Sequence, residues 1–438
     1  MTIYALATAP GRAALAVIRI SGTAAAAALT ALTQKPPPPP RRAVLRALYD
    51  PPSGRRIDEA LVLWMPAPAS FTGDDTAELH VHGGSAVVAG LLDALSRLPD
   101  LEPATAGAFT RRAVANGRLD LTRAEAIADL IDAESIAQQD QALRQMRGEL
   151  EALYTGWRDR LTDMRAHVEA AIEFVEEDVP ENAATSALAA LPTLRDTIAA
   201  HLGDTRGLKL RDGLRLVLLG PPNVGKSSIL NRLIDRDAAI TAPQAGTTRD
   251  LIEAPAILGG VAITFVDTAG LQADTSDAVE HEGMRRAARE AENADLRLFV
   301  RAPDCPFDES LFPAARPDDI QIFNKSDLVP EKSPPMDDTL AISAATGAGF
   351  DALHARLKTT IEHRFAPAET PLLTRQRHAH SLREAVEALD RALAAQNKAP
   401  ELVAEDLRLA ARALGRVTGA VDVEAVLDVI FADFCIGK

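Results

Sequence analysis

The run GPPNVGKSS at residues 220–228 constrains what this chain can fold into more than any other stretch. Before it, LRLVLL at 214–219 has the apolar density of a buried strand; after it, ILNRL at 229–233 has the spacing of a helix. Strand, glycine-rich turn and helix are the setting of a phosphate-binding loop. Gly220 and Gly225 let backbone N–H groups from Asn223 and Val224 onward close around a β-phosphate. The helix N-terminus, with Ser228 in its first turn, adds a favourable partial charge. Lys226 offers a point charge to the β- and γ-phosphates, and Ser227 a hydroxyl to Mg²⁺. A plain glycine-proline turn with a lone lysine is the alternative, and the ordered motifs that follow argue against it.

The next motif, DTAG at 267–270, ends the apolar run AITFV at 262–266. Asp267 is thereby expected at a strand tip, holding a Mg²⁺-bound water, with Thr268 and Ala269 in the turn and the Gly270 N–H facing the γ-phosphate. Between loop and strand lies GTTRD at 246–250, where Thr248 is the expected second Mg²⁺ ligand. A threonine that reaches the metal only when a γ-phosphate is present makes a switch. NKSD at 324–327 follows the strand-like IQIF at 320–323 and selects the base. A carboxylate at Asp327 accepts from guanine N1–H and the 2-amino group, and adenine has neither donor there. Asn324 can bridge to the base or to the phosphate loop. The Lys325 stem covers the ring, with Ser326 between it and Asp327. SAA at 343–345 follows LAI at 340–342, and Ser343, Ala344 and Ala345 can present a backbone N–H to guanine O6. The set implies a GTP site.

Hydrolysis needs an oriented water. The position after DTAG, often Gln, is Leu271, which cannot orient one. Gln272 and the acidic Asp274, Asp277, Glu280 and Glu282 follow. No arginine finger is visible in the phosphate loop, so another charge is needed between the β- and γ-phosphates. Asn223 could hold a monovalent cation there, or serve as a turn residue.

Composition narrows the class. The 438 residues suffice for two or three cores, and 47% hydrophobic content excludes a disordered chain. Two cysteines, Cys305 and Cys435, exclude a disulfide framework and suggest a reducing compartment. No run of about 18 apolar residues predicts a membrane span, and the N-terminus lacks a basic region, so a cytoplasmic protein is expected. The net charge of −15 argues against broad nonspecific nucleic-acid affinity.

The fold class expected is multidomain, α/β plus all-α. Residues 1–118 form an α/β domain, with strands at 14–20, 59–65 and 77–82. Residues 119–210 and 369–438 form two parts of a helical bundle, and 211–368 an inserted P-loop GTPase domain. TRAE at 122–125 and SLRE at 381–384 read as capping boxes. Leu143, Met146, Leu150, Leu153, Trp157, Leu161, Met164 and Val168 read as one stripe on one long helix. Helices are also predicted at 351–360, 401–416 and 422–434. The proline run at 35–42 reads as a stiff exposed connector. His80 and His82 share a strand face, and a structural role for them outweighs metal binding.

The chain ends FCIGK at 434–438. With Asn223, GTTRD at 246–250, SFTGD at 70–74, NGRLDLT at 116–122 and AEAIADLI at 124–131, it closely resembles the MnmE (TrmE) family of tRNA-modifying GTPases, over the whole length. The resemblance implies an N-terminal domain that binds tetrahydrofolate and dimerises, a helical domain, and a Ras-like GTPase inserted into it. It implies an FAD-dependent partner, MnmG (GidA), in a heterotetramer. Together the two would add a carboxymethylaminomethyl or aminomethyl group to C5 of the wobble uridine of certain tRNAs. The one-carbon unit would come from 5-formyl- or methylene-tetrahydrofolate, and GTP hydrolysis would require Mg²⁺ and K⁺. By motif, Asn223, Thr247 and the backbone of Ala242 and Gln244 resemble the K⁺ ligands, in a nucleotide-contacting segment that includes Pro243, Ala245 and Gly246. Glu280 resembles the water-orienting glutamate. Arg19, Glu78, Arg118 and Lys438 match positions near the folate, and Cys435 a cysteine proposed for catalysis. The chain departs from the family pattern at Ala13, Ala14, Ala108, Arg118, Pro243 and Gln272. The rival readings are a ribosome-associated regulatory GTPase, disfavoured by the acidic balance, and a scaffold with a vestigial site, disfavoured by the complete motif set.

Overall fold

The structure is a computed structural model. It describes residues 1–173, 183–237, 252–267, 289–305, 314, 316–329, 338–365, 370–396, 399–421, 427–428, 430–431 and 434–437. They divide into two compact units. One comprises residues 1–128, 145–199 and 380–438; the other comprises 129–144 and 200–379.

In the first unit β1 (Thr2–Leu6), β2 (Leu15–Ser21), β3 (Val44–Tyr49), β4 (Arg56–Met65), β5 (Thr76–His82) and β6 (Leu101–Pro103) form a sheet ordered β3-β4-β5-β2-β1-β6. Neighbours are antiparallel except β1 and β6. The three strands expected from alternation are β2, β4 and β5. On β4, Ala60, Val62 and Trp64 are buried while Leu61 is exposed, the period-two pattern of a sheet with one packed face. Helices Ala25–Thr33 and Ser85–Ser96 cover that face, setting Leu29, Leu32, Leu91 and Leu95 against Ile18, Ile20 and Leu79. Each such fully buried side chain contributes about 1.5–3 kcal/mol.

The helices correct three expectations. Asp120, not Thr122, caps helix Leu121–Asp132: its carboxylate accepts from the Thr122 N–H (3.1 Å), the Arg123 N–H (3.0 Å) and the Thr122 hydroxyl (2.6 Å). The apolar stripe lies on two helices, Ile136–Met146 and Glu149–Glu173, because Gly148 between them takes φ +86°, which side-chain-bearing residues avoid. The second helix buries Leu150, Tyr154, Trp157, Leu161, Met164 and Val168 and packs against helix Pro400–Thr418 through residues such as Val403, Leu407 and Leu414. Ser381 caps nothing. It lies inside helix Gln376–Ala395, whose apolar positions begin upstream at Ala379 with no breaker between. The helix expected at 422–434 falls largely outside the described residues.

In the second unit β7 (Leu214–Leu219), β8 (Ile252–Leu258), β9 (Val261–Asp267), β10 (Leu296–Arg301), β11 (Ile320–Phe323) and β12 (Thr339–Ala341) form a sheet ordered β12-β11-β10-β7-β9-β8. All neighbours are parallel except β8 and β9. β7 is buried almost throughout, as a central parallel strand must be. Helices Lys226–Asp237 and Phe350–Arg364 supply Ile229, Leu233, Leu353, Leu357 and Ile361 to the core. Segment 129–144 joins this unit: the Ala137 N–H donates to Gly260 O (3.1 Å), Gln138 Nε2 to Arg211 O (3.0 Å) and Gln141 Nε2 to Gly207 O (3.0 Å).

Candidate functional site

Parallel strands carry their sites beyond their carboxyl ends, and the described motif residues of the second unit lie there. The phosphate loop follows β7, Asp267 ends β9 opposite Leu218 of β7, Asn324 follows β11 and Ser343 follows β12. Within the loop, Gly220 takes φ +153°, and a Cβ there would stand 2.3 Å from Val300 O. At Gly225 (φ +96°) a Cβ would stand 2.3 Å from Asn324 Nδ2. Both positions therefore admit only glycine. Asn223 is exposed, in the left-handed region at φ +60°. Lys226 is 6% exposed and donates to Gly220 O (2.8 Å) and Pro221 O (2.9 Å), so its ammonium sits over the loop that it would serve. Ser227 and Ser228 are exposed in the first turn of the following helix, and Val224 is buried beneath the loop.

Asn324 joins the phosphate loop to the base loop. It is 1% exposed; its Nδ2 donates to Val224 O (2.8 Å) and its Oδ1 accepts from the Ala344 N–H (3.0 Å). Of the two roles open to it in the sequence, the structure has it on the phosphate loop. Asp327 is exposed on the short 3₁₀ turn Ser326–Leu328. Lys325 takes φ +59° and pairs with Asp304 (2.7 Å). That bond raises the Lys325 pKa and lowers that of Asp304, and both groups are solvated enough for the pair to add little stability. Cys305, beside Asp304, donates to Pro222 O (3.6 Å), and burial pushes its thiol pKa up. Residues 242–248, Thr268, Ala269, Gly270 and Glu280 lie outside the described residues, and of Asp267 only the backbone is described.

Two features of this site carry no sequence signal. Arg232, on helix Lys226–Asp237, donates from Nε to Ala344 O (2.9 Å) and from Nη2 to Ala345 O (2.9 Å). Asp304 belongs to no motif. The partners of both are distant in sequence, so only folding pairs them.

A second charged cluster forms in the first unit. Arg19 on β2 donates to Glu78 Oε1 on β5 from Nε (3.0 Å) and Nη2 (2.9 Å), across a register that pairs these two residues. Its guanidinium lies 5.7 Å from the Phe71 ring and 5.6 Å from that of Phe109. Its Nη1 reaches Gly437 O (3.4 Å). The chain end is held there by the Ala106–Ile436 bridge and by the Gly107 N–H on Cys435 O (3.4 Å). Cys435 is exposed. Arg118 is exposed beside Gly73, and Lys438 is outside the described residues. His80 pairs with Glu78 (3.3 Å) and His82 with Asp58 (2.8 Å), and no cluster of metal-ligating side chains exists among the described residues.

Comparison with known proteins agrees along the whole chain. The family model "GTP-binding protein TrmE N-terminus" matches residues 2–118, and "MnmE helical domain" matches 121–435. The chain is 52% identical over 440 residues to "tRNA modification GTPase MnmE" of Parvibaculum lavamentivorans, covering 100% of both. It is 50% identical over 459 residues to the protein of that name from Rhodospirillum rubrum, covering 100% of this chain and 99% of the relative. With that of Paramagnetospirillum magneticum it shares 51% over 449 residues, again covering 100% and 99%.

Proposed function

The chain belongs to the MnmE family of tRNA modification GTPases, and from that premise we propose that it is a K⁺-dependent GTPase that remodels the wobble uridine of certain tRNAs. It is a GTP hydrolase, with N-terminal, helical and P-loop GTPase domains. In the proposed reaction it works with the FAD-dependent MnmG to add a carboxymethylaminomethyl or aminomethyl group at C5. The observation that carries the nucleotide half is the joint between phosphate loop and base loop at Asn324. It pre-sets the spacing between a phosphate cradle and a base pocket before any ligand arrives.

Lys226 would neutralise the β- and γ-phosphates, and Asp327 would accept from the guanine N1–H and 2-amino group. Ser227 and Thr248 would hold Mg²⁺, with Asp267 on its water. The exposed Ser227 hydroxyl in the first helical turn fits a hard cation that takes oxygen ligands. Asn223, Thr247 and the carbonyls of Ala242 and Gln244 would hold K⁺, supplying charge that an arginine finger supplies elsewhere. The exposed amide at the loop tip fits that cation. Glu280 would orient the attacking water.

In the first unit Arg19, Glu78, Arg118 and Lys438 would hold a 5-formyl- or methylene-tetrahydrofolate, which supplies the one-carbon unit. Arg19 beside two phenylalanine rings suits a flat, polar-edged ring system. The chain end lies on the same cluster, so Cys435 is within reach of what binds there. Leu15, Leu45 and Leu61 are exposed on the open sheet face, Leu45 directly opposite Leu61. We assign those exposed leucines to a homodimer contact. No described helix is long and apolar enough to cross a membrane, in keeping with a cytoplasmic enzyme.

The test is nucleoside analysis of tRNA from cells that lack this gene. The modified wobble uridine should vanish, return with the wild-type chain and stay absent with Lys226→Ala. Its persistence in the deletion strain would sink the reading.

A further inference from the structure

We propose that Arg232 is a positioning residue for recognition of guanine O6, acting through the loop Ser343–Ala345; this rests on the guanine-nucleotide reading above. The guanidinium grips two successive carbonyls, Ala344 O from Nε and Ala345 O from Nη2, each at 2.9 Å. It lies 5.6 Å from the Phe350 ring. Its remaining edge faces Gly347, at φ +89°, where an added Cβ would stand 2.6 Å from Nη1. A glycine thus clears the seat that the guanidinium occupies.

The consequence follows from peptide geometry. A trans peptide is planar, and its C=O and N–H point opposite ways. Holding Ala344 O toward the helix therefore aims the Ala345 N–H away from it. The Ala344 N–H is already taken by Asn324 Oδ1 (3.0 Å). The Ala345 N–H donates to no acceptor among the described residues, and Ala345 is exposed. It is the donor left for a purine oxygen. The turn has its own closure: the Gly347 N–H donates to Ser343 O (2.8 Å), the Thr346 N–H to Ser343 Oγ (3.1 Å) and the Ser343 N–H to Ala348 O (2.9 Å). Loss of Arg232 therefore leaves the turn formed but frees the plane between Ala344 and Ala345 to tilt. What is lost is pre-organisation, not the fold.

The experiment is calorimetric titration of the full chain with GDP, 6-thio-GDP and IDP, for wild type, Arg232→Ala and Arg232→Lys. The 6-thio analogue replaces the oxygen by a weak acceptor; IDP lacks the 2-amino group that Asp327 reads. Arg232→Ala should weaken GDP by about 3- to 10-fold, the worth of one hydrogen bond. It should leave 6-thio-GDP nearly unchanged, so that the preference for GDP over 6-thio-GDP shrinks. The preference for GDP over IDP should stay at the wild-type value. Arg232→Lys keeps the charge but loses the fork, and should fall between. Unchanged GDP affinity in Arg232→Ala, or an equal drop in both preferences, overturns the proposal. A wild-type chain that binds none of the three overturns the guanine reading itself.

Discussion

Asn223 has two reasons to be asparagine, and they are separable. Its φ of +60° is a conformation that asparagine tolerates better than most residues and glycine better still. Its amide is also the proposed K⁺ ligand. Asn223→Ala would disturb both at once. Asn223→Gly keeps the backbone and removes only the amide. Hydrolysis by the wild-type chain should be much faster in K⁺ than in Na⁺, and Asn223→Gly should abolish that difference. A K⁺ preference that survives in Asn223→Gly would make the residue a turn former only. Such a choice was legible in the sequence as a pair of alternatives, because the loop's strand-turn-helix setting is local. Arg232 was not legible, because the carbonyls it holds are brought to it by β12 and the turn that follows.

Among elements, β10 carries a buried ion pair. Arg297 is 1% exposed near the start of a central parallel strand, and its Nε donates to Asp319 Oδ1 (2.8 Å) and its Nη2 to Oδ2 (2.5 Å). Nη2 also reaches Ala314 O (2.8 Å), and the guanidinium lies 5.4 Å from the Phe299 ring. Asp319→Ala leaves a buried cation unpaired and should cost about 3–5 kcal/mol, whereas replacing Arg297 and Asp319 together by Met and Leu should recover most of it. Both tryptophans, Trp64 and Trp157, lie in the first unit, so fluorescence cannot read this change. Hydrogen exchange of β10 and β11 amides can: protection should fall in the single variant and return in the double. Equal loss in both would mean that the strand needs the ion pair itself. At this scale alternation identified β2, β4 and β5, and apolar density identified β7. It ran two helices together across Gly148, since hydrophobic spacing does not register a change of φ.

For the molecule as a whole, acid should act on the second unit through His201. Burial pushes its pKa down to about 4, partly opposed by Asp204. The folded form therefore keeps it neutral while the unfolded chain, near 6.5, takes up a proton. The stability it contributes is present above pH 6.5 and is lost as pH falls toward about 4. Exchange protection in that unit should decline across this window, and His201→Gln should flatten the decline. An unchanged profile in the variant would remove His201 as the cause. The sequence by itself determined the phosphate-loop setting, the order of the nucleotide motifs and the family. Each of these is a local pattern of residue type and spacing, and local patterns survive without coordinates. Only the tertiary structure decided that Asn324 bonds the phosphate loop, that Arg232 grips the base loop and that the chain end lies on Arg19. Those contacts join residues remote along the chain. The first two exist because parallel strands collect their loops at one edge, and all three because burial makes each polar group find whichever partner folding puts beside it.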